Sequence, residues 1–126
     1  MLMTMPGPLR ACPADLSDHE LLELFGALGG HSKVAMRRAL ALLPEVIRRR
    51  LYRKTGCSSP YEYAQKMAGA TKDVVDKVLR LHRKIGSMPE LWGLLERGVE
   101  GWSKLEVVAW SATPDTAAWW AERLQR

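Results

Sequence analysis

Four times in this chain a serine is followed three residues later by a glutamate: Ser17 and Glu20, Ser59 and Glu62, Ser87 and Glu90, Ser103 and Glu106. This is the capping-box spacing. The serine oxygen accepts from a free N–H of the first helical turn, and the carboxylate reaches back to the serine's own N–H. Each pair therefore predicts a helix start. Stop signals follow at Gly29-Gly30, Gly56, Gly69, Gly86 and Gly98, because glycine readily takes the left-handed conformation that ends a helix. Pro60, Pro89 and Pro114 stand where a proline fits a first helical turn. No run alternates apolar and polar residues between hairpin turns, so no strand is expected. The pattern predicts an all-α, compact multi-helix domain of six or seven short helices.

Between these marks the apolar residues recur at helical spacing. Leu21, Leu22, Leu24, Phe25 and Leu28 line the first helix, and Ser32 opens the second through Met36, Leu40 and Leu43. Pro44 either kinks that helix or begins a new one. Leu43, Val46, Ile47 and Leu51 continue a buried stripe towards Gly56, with Arg48, Arg49 and Arg53 mainly opposite. Thr71 caps a helix carrying Val74, Val75, Val78, Leu79 and Ile85. Thr113-Pro114 is expected to open a last helix, which contains Trp119 and Trp120.

With 126 residues the chain fits one domain. Residues 1–14 read as a flexible leader without signal-peptide character, and 15–126 as a single helical domain. The longest apolar stretch, Ala39 to Leu43, is far too short for a membrane span. A cytoplasmic location follows as the expectation. Cys12 and Cys57 form no C-x-x-C pair. They read as free thiols, with a disulfide as the alternative. The net charge of +5 is segregated. Residues 31–54 hold eight basic residues against Glu45, net +7, and residues 55–86 hold six against three acidic, net +3. The two ends are acidic, at −3 and −2. A basic middle of this kind is either a solvated surface or a phosphate-binding face.

Pro60 to Leu81 follows the plan of short helix, Gly-containing turn and longer helix, so a helix-turn-helix is expected at about residues 60–84. Ala64, Ala68 and Val75 are small or branched, as close helix crossing requires. The second helix would lie in the major groove. On it, Lys72 and Lys77 can donate to guanine or phosphate, while Arg80, Arg83 and Lys84 suit backbone phosphates. Asp73 and Asp76 would repel phosphate unless paired with neighbouring cations. The run Arg48-Arg49-Arg50-Leu51-Tyr52-Arg53-Lys54 is either a solvated helix face or a phosphate clamp formed by Arg48, Arg49, Arg53 and Lys54.

No catalytic constellation is legible. His19, His31 and His82 are scattered, no metal or cofactor motif is present, and Glu96 and Glu100 flank a helix end at Gly98. Trp92, Trp102, Trp110, Trp119 and Trp120 concentrate in the last third. Core packing accounts for most of them. Trp119 and Trp120, about 100° apart on a helix, cannot both face inward. A partner surface is therefore the alternative role for this region.

Arg48-Arg49-Arg50-Leu51-Tyr52, Gly56-Cys57-Ser58-Ser59 and Tyr61-Glu62-Tyr63, followed by Met88-Pro89-Glu90-Leu91, Leu94-Leu95-Glu96-Arg97-Gly98, Trp102-Ser103-Lys104-Leu105 and Thr113-Pro114-Asp115, stand in order. Together they resemble the helical N-terminal domain of bacterial HNH-endonuclease-type proteins over roughly residues 45–125. More distantly, the stretch is similar to ParB-like helix-turn-helix domains. The resemblance implies a DNA-targeting domain. It carries no nuclease activity over, because the nuclease centre needs clustered histidines and an asparagine, and this chain has no asparagine. The expected function is therefore non-catalytic, phosphate-dominated binding of duplex DNA, with a homodimer or a downstream nuclease domain as protein partner. The alternative is a protein-interaction module with a Trp-rich C-terminal surface.

Overall fold

Ser17 and Glu20 close their box in both directions. The Glu20 N–H donates to Ser17 Oγ at 3.1 Å, and the Ser17 N–H donates to Glu20 Oε1 at 2.8 Å. Helix α1 (Asp18–Leu28) starts there. The computed structural model describes residues 13–28 and 32–125. The expected Gly29-Gly30 stop, His31 and Cys12 lie outside the described residues, and with Cys12 the disulfide alternative. Ser32 accepts from the Ala35 N–H and opens α2 (Lys33–Arg48). Then come α3 (Pro60–Ala68), α4 (Lys72–Ile85), α5 (Pro89–Glu96), α6 (Trp102–Ala109) and α7 (Ala117–Leu124). The chain is all-α among the described residues. None of these helices is long and apolar enough to cross a membrane.

The local expectations hold where the cap is decided by its own residues. Ser59 accepts from Glu62 N–H, and Thr71 from Val74 N–H. Gly69 takes φ +67 between α3 and α4, a conformation that side chains with a Cβ adopt at a cost. The three-residue link Gly69-Ala70-Thr71 then turns the chain.

Five expectations are corrected. Pro44 begins no new helix, since α2 runs through it. That helix does not reach Gly56 either. It ends at Arg48, Arg50 takes the left-handed conformation at φ +55, and Leu51–Thr55 form a 3-10 turn. Ser87 does not cap α5. The residue before a proline is driven out of the helical region, so Met88, extended at φ −107 and ψ 90, is the N-cap. Likewise α6 starts at Trp102 after an extended Gly101, because the Trp102 indole packs on the core. Thr113-Pro114 lies in a turn closed by Thr116 N–H on the Thr113 carbonyl, and α7 starts only at Ala117.

Helix α2 is the hub. It packs on α1, α3, α4 and α5, while α4 also carries α6 and α5 carries α7. Leu21, Phe25, Leu40, Leu42, Leu81, Leu91 and Leu94 are fully buried in this shared core. Each contributes about 1.5–3 kcal/mol through burial. Gly98, at φ +74, sits where a Cβ would come within 2.6 Å of Val34, so the loop after α5 can lie directly on α2. Pro13 and Ala14, assigned to the leader from sequence, form a 3-10 turn with Asp15.

Candidate nucleic-acid interface

Three cations of the basic run at the end of α2 are ion-paired within the chain, although only Arg49 is drawn in from the surface. Arg48 holds both oxygens of Glu45, with Nη2 at 2.5 Å from Oε2. Arg49, whose side chain is only 14% exposed, uses its whole guanidinium internally. Its Nε donates to Glu45 at 2.7 Å, Nη1 to Asp18 at 3.1 Å, and Nη2 to the carbonyls of Pro13 and Ala14. Lys54 takes the other Asp18 oxygen at 2.9 Å. Hydrogen bonds from Arg48 first, and Arg49 next, hold the Glu45 carboxyl below the usual carboxylate range. Lys54 and then Arg49 do the same for Asp18. The expected clamp of Arg48, Arg49, Arg53 and Lys54 thus divides. Three of its members neutralise Glu45 and Asp18, and only Arg53 is exposed with no carboxylate among the described residues.

On α4 the arrangement is the reverse. Val75, Val78, Leu81 and Ile85 face the core, which leaves Asp73, Asp76, Lys77, Arg80, Arg83 and Lys84 along the opposite side. At the N-terminal end, Asp76 is occupied. It accepts the Tyr61 hydroxyl at 2.6 Å and the Lys72 ammonium at 3.3 Å. The Tyr61 hydrogen bond, and then desolvation set against Lys72, leave its carboxyl below the usual range. Lys72 also lies 5.1 Å from the Tyr61 ring centroid. This cluster absorbs one of the two troublesome aspartates, but it also ties up Lys72. Further along, Lys77, Arg80, Arg83 and Lys84 form no ion pair with a described carboxylate. Lys77 to Lys84 spans about 10 Å at 1.5 Å per residue.

Helix α6 extends this face. Leu105, Val108 and Ala109 point into the core, so Val107 and Trp110 point out, 74% and 77% exposed. The Lys84 ammonium sits 3.2 Å from the Trp110 ring centroid. A pocket of about 250 Å³ between α4 and α6 is lined by Lys77, Ser103, Glu106, Val107 and Trp110. The sequence had assigned Trp110 to an undivided tryptophan cluster. Its position opposite Leu105 and Val108 on a helical wheel was the available sign that it is outward-facing. Trp92, by contrast, is buried, and Trp119 and Trp120 divide as expected, one exposed and one half-buried.

A larger cleft, about 610 Å³, lies between α2, α4 and α5. Its walls include Ala41, Pro44, Ile47, Leu79 and Trp92, with His82, Arg83 and Glu96 among them. Burial pushes the His82 imidazole below its ordinary value and the Glu96 carboxyl above its own. The His82 ring meets Trp92 edge-on at 5.0 Å. A Cβ at Gly86 would lie 2.5 Å from that ring, so glycine there makes room for it. The described lining holds no serine, threonine or cysteine to act as a nucleophile. No group of three or more metal-ligating side chains occurs among the described residues. Compared with known proteins, the chain matches no family model, no curated protein and no solved structure.

Proposed function

We propose that this chain is a non-catalytic DNA-binding domain that holds the phosphate backbone of duplex DNA on the open face of α4. One observation carries the reading: Lys77, Arg80, Arg83 and Lys84 lie on the side of α4 away from its buried stripe and form no ion pair with a carboxylate among the described residues, whereas Arg48, Arg49 and Lys54 are ion-paired within the chain. The order α3, three-residue turn and α4 fits a helix-turn-helix, with α4 in the position of the reading helix. Asp73 and the occupied Asp76 lie at the end that would meet base edges, which favours phosphate contacts over base reading. Arg53 and Lys72 are secondary contributors. The resemblance of residues 45–125 to helical domains of HNH-type proteins supports the same role, with a cytoplasmic location and a nuclease module as partner.

The test is fluorescence anisotropy with a random-sequence duplex. Lys77→Glu with Arg80→Glu should weaken binding at least about tenfold, and Arg48→Glu should change it little. Equal effects from both would contradict the assignment of the face. A second reading, a protein-interaction or dimerisation module, is favoured by exposed Trp110 and Trp119. It predicts a concentration-dependent mass in sedimentation that those charge reversals leave unchanged.

A further inference from the structure

Trp110 is the most exposed large apolar side chain on the described surface, and it stands among cations. Lys84 caps one face of its indole, Lys77 lines the adjoining pocket, and Arg80 lies between them on α4. We infer that this α4–α6 pocket receives an unpaired nucleobase, stacked on Trp110, with the flanking phosphates on Lys77, Arg80 and Lys84. The inference rests on the DNA-binding reading and names its substrate class: DNA with an unpaired base, at a bulge or in a single strand, rather than uninterrupted duplex.

Three features favour a base over other occupants. The indole is a flat π-surface with one polar edge, and base–aromatic stacking is a general way of holding single-stranded nucleic acid. Ser103 and Glu106 line the same pocket as Trp110. A carboxylate can accept from an exocyclic amino group of cytosine or adenine, and a base that has left its pair offers that group freely. The charge is wrong for a second copy of the chain, because protein interfaces deplete charge from their centres, while here the Lys84 ammonium lies on the indole, Lys77 lines the pocket, and Glu106 is its one anion among the described residues. The platform is also firmly held, since Leu105 and Val108 on the other side of α6 are buried.

The experiment compares three labelled DNAs of one length at low salt: a fully paired duplex, the same duplex with one bulged dC, and its single strand. Each is titrated with the wild-type chain, Trp110→Ala and Trp110→Phe, and circular dichroism melts confirm that both variants fold. The wild type should bind bulged and single-stranded DNA about tenfold more tightly than the paired duplex. Trp110→Ala should abolish that preference, and Trp110→Phe should keep most of it. Equal binding of all three DNAs by the wild type would overturn this inference and leave the phosphate-binding reading standing. Absence of binding to any of them would overturn both. A mass that rises with concentration and falls back in Trp110→Ala, without DNA preference, would assign the surface to a second copy and overturn the inference as well.

Discussion

Arg49 and Asp18, 31 positions apart, meet in a 3.1 Å ion pair that ties the C-cap of α2 to the first turn of α1. The same guanidinium closes on Glu45 and on the carbonyls of Pro13 and Ala14. The densest run of positive charge in the chain is thus partly a brace for its own N-terminal elements. Arg49→Ala leaves Glu45 short of one partner and two carbonyls without a donor. It should cost about 1–3 kcal/mol in urea denaturation, with DNA affinity of the folded protein unchanged within about twofold. A loss of affinity at unchanged stability would return Arg49 to the binding surface. The sign of the pH dependence follows. Asp18 and Glu45 titrate below their ordinary values in the folded chain, so their contribution is present at neutral pH and fades as the pH falls through those depressed values.

Tyr63 packs its ring on Phe25 at 4.9 Å, but its buried hydroxyl finds no hydrogen-bond partner among the described residues. Burial pushes its phenol up to about 12. An unsatisfied buried hydroxyl is a net cost. Tyr63→Phe should therefore be neutral or stabilising by up to about 1 kcal/mol, read as an unchanged or higher Tm. A clear loss of stability would mean that the hydroxyl is bonded.

Glu96 lies part-buried on the α2–α4–α5 cleft and forms no hydrogen bond or ion pair among the described residues. Desolvation raises its pKa against a smaller opposing effect of Arg97. A raised carboxyl favours folding most when protonated, so its contribution is present at acid pH and lost as the pH rises through the folded value. Glu96→Gln should raise Tm at pH 7, and the two proteins should converge near pH 3. A variant less stable than wild type at pH 7 would show that the carboxylate has a stabilising partner.

Legibility in the sequence tracked the range of the forces involved. The Ser17–Glu20 box, the Ser59 and Thr71 caps and the Gly69 turn depend on neighbours within three or four residues, and all four form as read. Ser87, Ser103 and Thr113 carry the same local signature and do not cap α5, α6 or α7. A proline next door shifted the first start. The packing of Trp102 set the second, and a closed Thr113–Thr116 turn displaced the third. The candidate site divides the same way. That α4 carries cations was plain, and so was the buried stripe that turns them outward. That Asp18 would neutralise Arg49 and Lys54 could not be read, because its distance in sequence, 31 and 36 residues, is spanned only by the fold. The nearness of Lys84 to Trp110 was hidden for the same reason.

The most direct measurement of the central claim is the salt dependence of duplex binding. Four phosphate contacts on α4 predict a slope of log Kobs against log salt of about −3.6, at about −0.9 per contact. Lys77→Ala with Arg80→Ala should flatten that slope by about 1.8, whereas Arg48→Ala with Lys54→Ala should leave it nearly unchanged. A slope near zero in the wild type, or flattening by the Arg48–Lys54 pair alone, would contradict the account.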